Sequence, residues 1–277
     1  MTSDGTLKAP IKGITQGYKW FGVKVISPAF YLTKGSLQQV IRVTEIIKST
    51  YLVNINDSCG LHVHVGVGDE TFTFPHIRNL HALLYAFSPQ LNSLHPARSE
   101  TNSMFIPLRS IRGKDGRTLP RMEGAVRLLL TQNINDLYEL TGVESRKTMS
   151  YNFNPIFKYE KESRGSGTVE FRQHEGTLDG EAIRIWIKTV VRLVEFAREL
   201  IADPTYFTQL LSVLEQEDVE GEPPLCENEY TTIDFLMNAR AWEPVLYYRE
   251  RGIYKIRPLH YFPDYPREVG DEDAEIE

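Results

Sequence analysis

The chain has 277 residues, of which 41% are hydrophobic and 25% charged, an ordinary globular balance with room for a substantial core in one domain or one and a half. Its formal net charge of −6 argues against a nucleic-acid partner. No run of about 18 apolar residues is present to span a membrane. The first residues, Met1-Thr2-Ser3-Asp4-Gly5, lack the basic-then-apolar layout of a signal peptide, so a soluble, cytoplasmic protein is expected. Cys59 and Cys226 could form one disulfide, but two free thiols in a reducing compartment are the preferred reading.

Residues 1–19 are turn-rich, and Trp20 to Pro28 reads as a strand that Pro28 ends or places at an edge. Ser36 is a candidate N-cap for a helix with Leu37, Val40, Ile41 and Ile47 on one side. A short extended piece, Tyr51 to Asn56, leads into a run of β-formers. From Ile77 to about Leu94, Leu80, Leu83, Leu84 and Phe87 recur at helical spacing, with Pro89 breaking or kinking the helix. Residues 96–103 are a polar loop. Glu123 to Leu140 reads as one helix, and Tyr151 to Ile156 as a strand with Pro155 near its end. The clearest helix follows Asp179, its candidate cap, with Ile183, Trp186, Ile187, Val190, Val194, Ala197 and Leu200 on one stripe. Shorter helices are expected over 204–217 and 231–240, either side of a Glu/Pro-rich linker, Glu220 to Pro224. The division expected is a domain over 1–202, a helical extension over 203–265, and a disordered acidic tail over 266–277.

Two stretches carry the chemistry. In Gly60-Leu61-His62-Val63-His64-Val65-Gly66, strand alternation puts His62 and His64 on one face and the apolar residues on the other. In Val169-Glu170-Phe171-Arg172-Gln173-His174-Glu175, the same period puts Glu170, Arg172 and His174 on one face. A His-x-His pair suits a metal or phosphate role. Glu70 stands too far from His64 for a double-stranded β-helix metal site, and the pattern is not the repeated βα of a zinc amidohydrolase. Cys59, before a glycine and with no orienting Asn or Asp, reads as a small buried residue and not as a nucleophile.

The two motifs together resemble the amidoligase family, carboxylate–amine ligases related to glutamine synthetase and the glutamate–cysteine ligases, and many fungal proteins look like this. Gly22-Val23-Lys24-Val25-Ile26-Ser27-Pro28, Arg98 with Asn102, Tyr151-Asn152-Phe153-Asn154-Pro155 and Trp186 also match, from about residue 3 to about residue 200. The resemblance implies an α+β fold, a curved, mostly antiparallel sheet with helices packed outside. It implies an ATP-dependent ligase that phosphorylates a small-molecule or peptide carboxylate and lets an amine displace the phosphate.

By similarity with glutamine synthetase, His62 and Glu170 would ligate Mg²⁺ or Mn²⁺, and His64 would lie against the ATP phosphates. Arg172 would contact the transferred phosphoryl group, and His174 would bind substrate or hold Glu170. Arg98 and Asn102 would take the substrate carboxylate. Two departures stand out. The family's opening strand with paired carboxylates is not found before residue 20, so the fold is expected to lack its first strand, leaving an edge that a second copy or a partner would cover. Lys24 stands where the family carries Glu; its innocent reading is a solvent-facing residue on a rearranged edge. A catalytically degenerate ligase fold acting as a binding or regulatory module is the alternative. A metal hydrolase using His62, His64, Glu170 and His174 is a weaker one.

Overall fold

The computed structural model describes residues 2, 3, 5, 7, 8, 10, 17–95, 119–141, 150–157, 166–214 and 230–252. Along them run β1 (Thr2–Ser3), β2 (Val23–Lys24), α1 (Lys34–Thr50), β3 (Gly60–Val65), α2 (Phe74–Ala86), α3 (Ser88–Asn92), α4 (Arg121–Leu129) and α5 (Ile134–Thr141). There follow β4 (Tyr151–Asn152), β5 (Val169–Glu175), α6 (Gly180–Ala202), α7 (Pro204–Ser212), α8 (Thr232–Asn238) and α9 (Trp242–Glu250). The architecture is α+β with antiparallel pairing. β1 pairs with β2, and a separate three-stranded sheet has the order β3-β5-β4. The described strands close no barrel.

The sheet's apolar side chains meet α2 and α6. Val65, Val169, Phe171 and Tyr151 share one core with Leu80, Leu83 and Leu84 of α2 and Trp186, Val190 and Leu193 of α6. Each fully buried leucine there contributes on the order of 2 kcal/mol. His76 Nε2 donates to the Val194 carbonyl at 2.8 Å and ties α2 to α6. Asp179 caps α6 as expected, its Oδ1 accepting from Glu181 N and Ala182 N at 2.9 and 3.2 Å. At Gly180 a Cβ would lie 2.9 Å from Thr44 Oγ1 and 3.1 Å from Ile41 Cα, so the bare glycine lets α1 cross close to α6.

The later helices join the same core. Phe207, Leu210, Phe235, Leu236 and Tyr248 belong to it, and Phe235 stacks on Phe87 with ring centroids 4.5 Å apart. Glu243 of α9 pairs with Arg184 and Lys188 of α6. Among the described residues no helix is long and apolar enough to cross a membrane.

Several boundaries differ from expectation, each for a local reason. The strand expected over 20–28 is reduced to Val23–Lys24, and residues 23–35 are exposed. The cap of α1 is Thr33; Ser36 sits at N3 and completes a capping box with it. The helix expected over 123–140 divides at Leu130–Asn133, where Asn133 Oδ1 accepts from Asn135 N and Asp136 N and starts α5 afresh. β4 ends after Asn152, whose Oδ1 accepts from Asn154 N at 3.0 Å; the Asx turn feeds a helical turn over 154–157. Helix α9 falls within the span expected to be helical over 203–265; Pro244 lies in its first turn, where proline is tolerated. Arg98, Asn102, Cys226 and the acidic tail lie outside the described residues.

Candidate functional site

The site is built where β3, β5 and β4 meet on the sheet face away from the core. His64 pairs directly with Glu170, and Asn152 pairs with Glu170 from the other side. Paired residues in an antiparallel ladder project to the same face, so Glu170 sits between flanking side chains from both neighbouring strands. Its carboxylate gathers them. His62 Nδ1 is 3.0 Å from Oε1, Arg172 Nη1 donates to Oε1 at 2.8 Å, and Asn152 Nδ2 donates to Oε2 at 2.8 Å. His64 Nε2 stands 3.7 Å from the same Oε1. Exposure rises from floor to rim. The Glu170 side chain is 7% exposed, Arg172 20%, His62 22% and His64 48%.

These contacts decide the charge state. Burial alone would push the Glu170 carboxyl up. Hydrogen bonds from His62 and Asn152, with the Arg172 guanidinium, outweigh it and hold the group at about 2, well below its usual 4.5. Glu170 is therefore a carboxylate at any ordinary pH. The short contact to Oε1 makes His62 Nδ1–H a donor and leaves the lone pair on Nε2, the arrangement common in metal-ligating histidines. His64 is pushed below its ordinary 6.5 by burial and by the charges of His62, Lys24 and Arg172, against the pull of Glu170. Its Nδ1 lies 3.3 Å from Thr168 Oγ1, in the loop that leads into β5.

Lys24 is exposed, as its innocent reading held, yet close enough for its charge to act on His64. The site thus sets one carboxylate among a guanidinium, an ammonium and two imidazoles.

The expected shared face of Glu170, Arg172 and His174 is not what forms. The β3–β5 register runs Val63↔Phe171, then Leu61↔His174, so β5 carries one extra residue opposite His62, a β-bulge. Beyond it the alternation is reset. His174 pairs with Leu61 on the core side and lies against His95 and Trp186, with ring centroids 4.5 and 5.8 Å away. The structure therefore brings His62, His64, Glu170 and Arg172 together and sends His174 elsewhere.

Asn152 is the partner that sequence reasoning passed over. A signal for it existed: Asn152 and Asn154 alternate with Tyr151 and Phe153, which marks the two asparagines as the polar face of a strand.

An antiparallel sheet that presents a buried Glu170 paired with a half-buried Arg172 beside two histidines, backed by helices, defines an α+β protein with a polar, cation-rich sheet face. Residues 2–194 match a family model described as "Putative amidoligase enzyme". The chain belongs to the amidoligase family, which carries a ligase-type function. Comparison with curated proteins and with solved structures finds no match.

Proposed function

We propose that this chain is an ATP-dependent carboxylate–amine ligase that works through an acyl phosphate, and that the Glu170 cluster is one wall of its nucleotide cleft. The observation that supports the reading is a single ionised carboxylate holding His62, Arg172 and Asn152 in place, with His64 at the rim. Cations outnumber the anion there, which suits a polyphosphate. Phosphoryl transfer needs positioning and charge neutralisation rather than a protein nucleophile. In the proposed reaction a carboxylate oxygen attacks the γ-phosphorus and ADP leaves. The amine nitrogen then attacks the acyl carbon, phosphate departs, and the amide nitrogen gives up its proton. Arg172 lies against the transferred phosphoryl group and His64 against the phosphates. Arg98 and Asn102 take the substrate carboxylate.

The residues present fit a metal only in part. Mg²⁺ prefers an octahedron of oxygens, whereas the wall offers the Glu170 carboxylate and, from His62, the ring nitrogen Nε2, since Nδ1 is taken up by Glu170. Such a pair can hold Mg²⁺ or Mn²⁺ that arrives with the nucleotide, whose phosphate oxygens complete the shell. Bound there, the ion would neutralise charge on the β- and γ-phosphates. His174 does not join this wall and supports it only through the strand they share.

The test is ADP release from ATP against a panel of amino-acid and peptide carboxylates and amines. The expected result is turnover that needs both co-substrates and falls at least about 100-fold in Glu170→Gln. ADP release that ignores the carboxylate and the amine overturns the ligase reading. A second reading, a ligase fold that binds nucleotide without turnover, is favoured by Lys24 acting on His64. Binding without ADP release, with turnover appearing in Lys24→Glu, selects it.

A further inference from the structure

The core side of β5 carries a second polar cluster that the Glu170 cleft does not use. His95, just after α3, meets His174 and Glu175 at the end of β5. Each offers one ligand atom, and these atoms all lie within 4.8 Å of one another. The two histidines are buried and Glu175 is exposed, so the cluster runs from the core to the surface. Three things orient it. The bulge in β5 turns His174 away from Glu170 and toward His95; bulges re-aim a side chain in this way near functional sites. The Trp186 ring stands edge-on to His95, at 85° with centroids 4.5 Å apart, and fixes that imidazole. His174 Nδ1–H donates to the Glu175 carbonyl at 2.7 Å, which places the ring's lone pair on Nε2.

We propose that His95, His174 and Glu175 bind a divalent transition-metal ion of the zinc class, at a site separate from the nucleotide cleft. Two imidazole nitrogens and one carboxylate oxygen match the borderline-soft ions and disfavour Mg²⁺ and Ca²⁺, which take oxygen ligands. The backbone carbonyl on His174 Nδ1 is the outer contact that metal-ligating histidines keep. Zinc holds N and O ligands at roughly 2.0–2.2 Å, so tetrahedral donors stand about 3.4 Å apart. The three ligand atoms, all within 4.8 Å of one another, have up to about 1.4 Å to close to reach that spacing. Among the described residues these are three ligands, and a tetrahedral ion takes a fourth from a further side chain, water or an outside ligand. The ion would pin the loop after α3 to the end of β5, next to the indole of α6.

The experiment titrates the full chain, stripped with EDTA, with Co²⁺, reading the visible d–d bands and displacing the ion with Zn²⁺. The expected result is one Co²⁺ per chain whose affinity falls at least tenfold in His95→Gln and in Glu175→Ala and is retained in His62→Gln. Glu175 is exposed, so Glu175→Ala keeps the fold even where His95→Gln disturbs it, and circular dichroism checks both. Absence of stoichiometric Co²⁺ binding by the unsubstituted chain overturns the proposal. So do bands unchanged in Glu175→Ala, or bands lost in His62→Gln, which would put the ion in the Glu170 cleft.

Discussion

Glu170 spends its oxygens on three donors, and that commitment has a pH signature. Its folded value of about 2 lies below the ordinary 4.5, so the stability it contributes is fully present above 4.5 and is lost as pH falls toward 2. The contribution is on the order of 3 kcal/mol. Urea unfolding of the unsubstituted chain and of Glu170→Gln should show a stability gap at pH 6 that narrows through this window. Stabilities that run parallel across it contradict the ion-pair account. Lys24 makes the second residue-scale prediction. Its charge pushes His64 down, so Lys24→Glu should raise the His64 pKa in an NMR titration. An unchanged titration would mean that Lys24 is too well solvated to act on the site. Two-residue alternation makes His62, His64, Glu170 and Arg172 legible in the sequence as one group. It fails at His174, because a one-residue slip moves a side chain to the other face and nothing in Arg172-Gln173-His174 marks the slip. His95, one of the partners that receive His174, is distant in the chain.

At the scale of elements, close approach decides more than propensity. Gly124 in α4 faces Tyr85 of α2, which is fully buried, and an added Cβ would stand 2.2 Å from Tyr85 Cε1. Alanine in a helix gains about 1 kcal/mol over glycine. Here overpacking against a ring that cannot retreat outweighs it, so Gly124→Ala should destabilise by about 1–3 kcal/mol in urea unfolding. A rise in stability would show that α4 shifts freely on α2. The helices were legible where their stripes are strong, as in α2 and α6. They were misread where side-chain capping intervenes: Asn133 starts a new helix and Asn152 ends a strand, and neither event changes the hydrophobic period.

Over the whole molecule, one three-stranded sheet separates two chemistries. Its outer face holds the Glu170 cluster, and its inner face meets α2 and α6 in a core that also takes in α7, α8 and α9. The bulge in β5 is the hinge of this division, since it assigns His174 to the inner side and leaves the cleft to His62, His64, Glu170, Arg172 and Asn152. The central claim is that this outer face receives nucleotide phosphates, and calorimetric titration with MgATP tests it most directly. The unsubstituted chain should bind one MgATP, with affinity at least tenfold weaker in Arg172→Ala and with little binding of Mg²⁺ alone. MgATP binding that is equally tight in Arg172→Ala, or absent from the unsubstituted chain, would contradict the account.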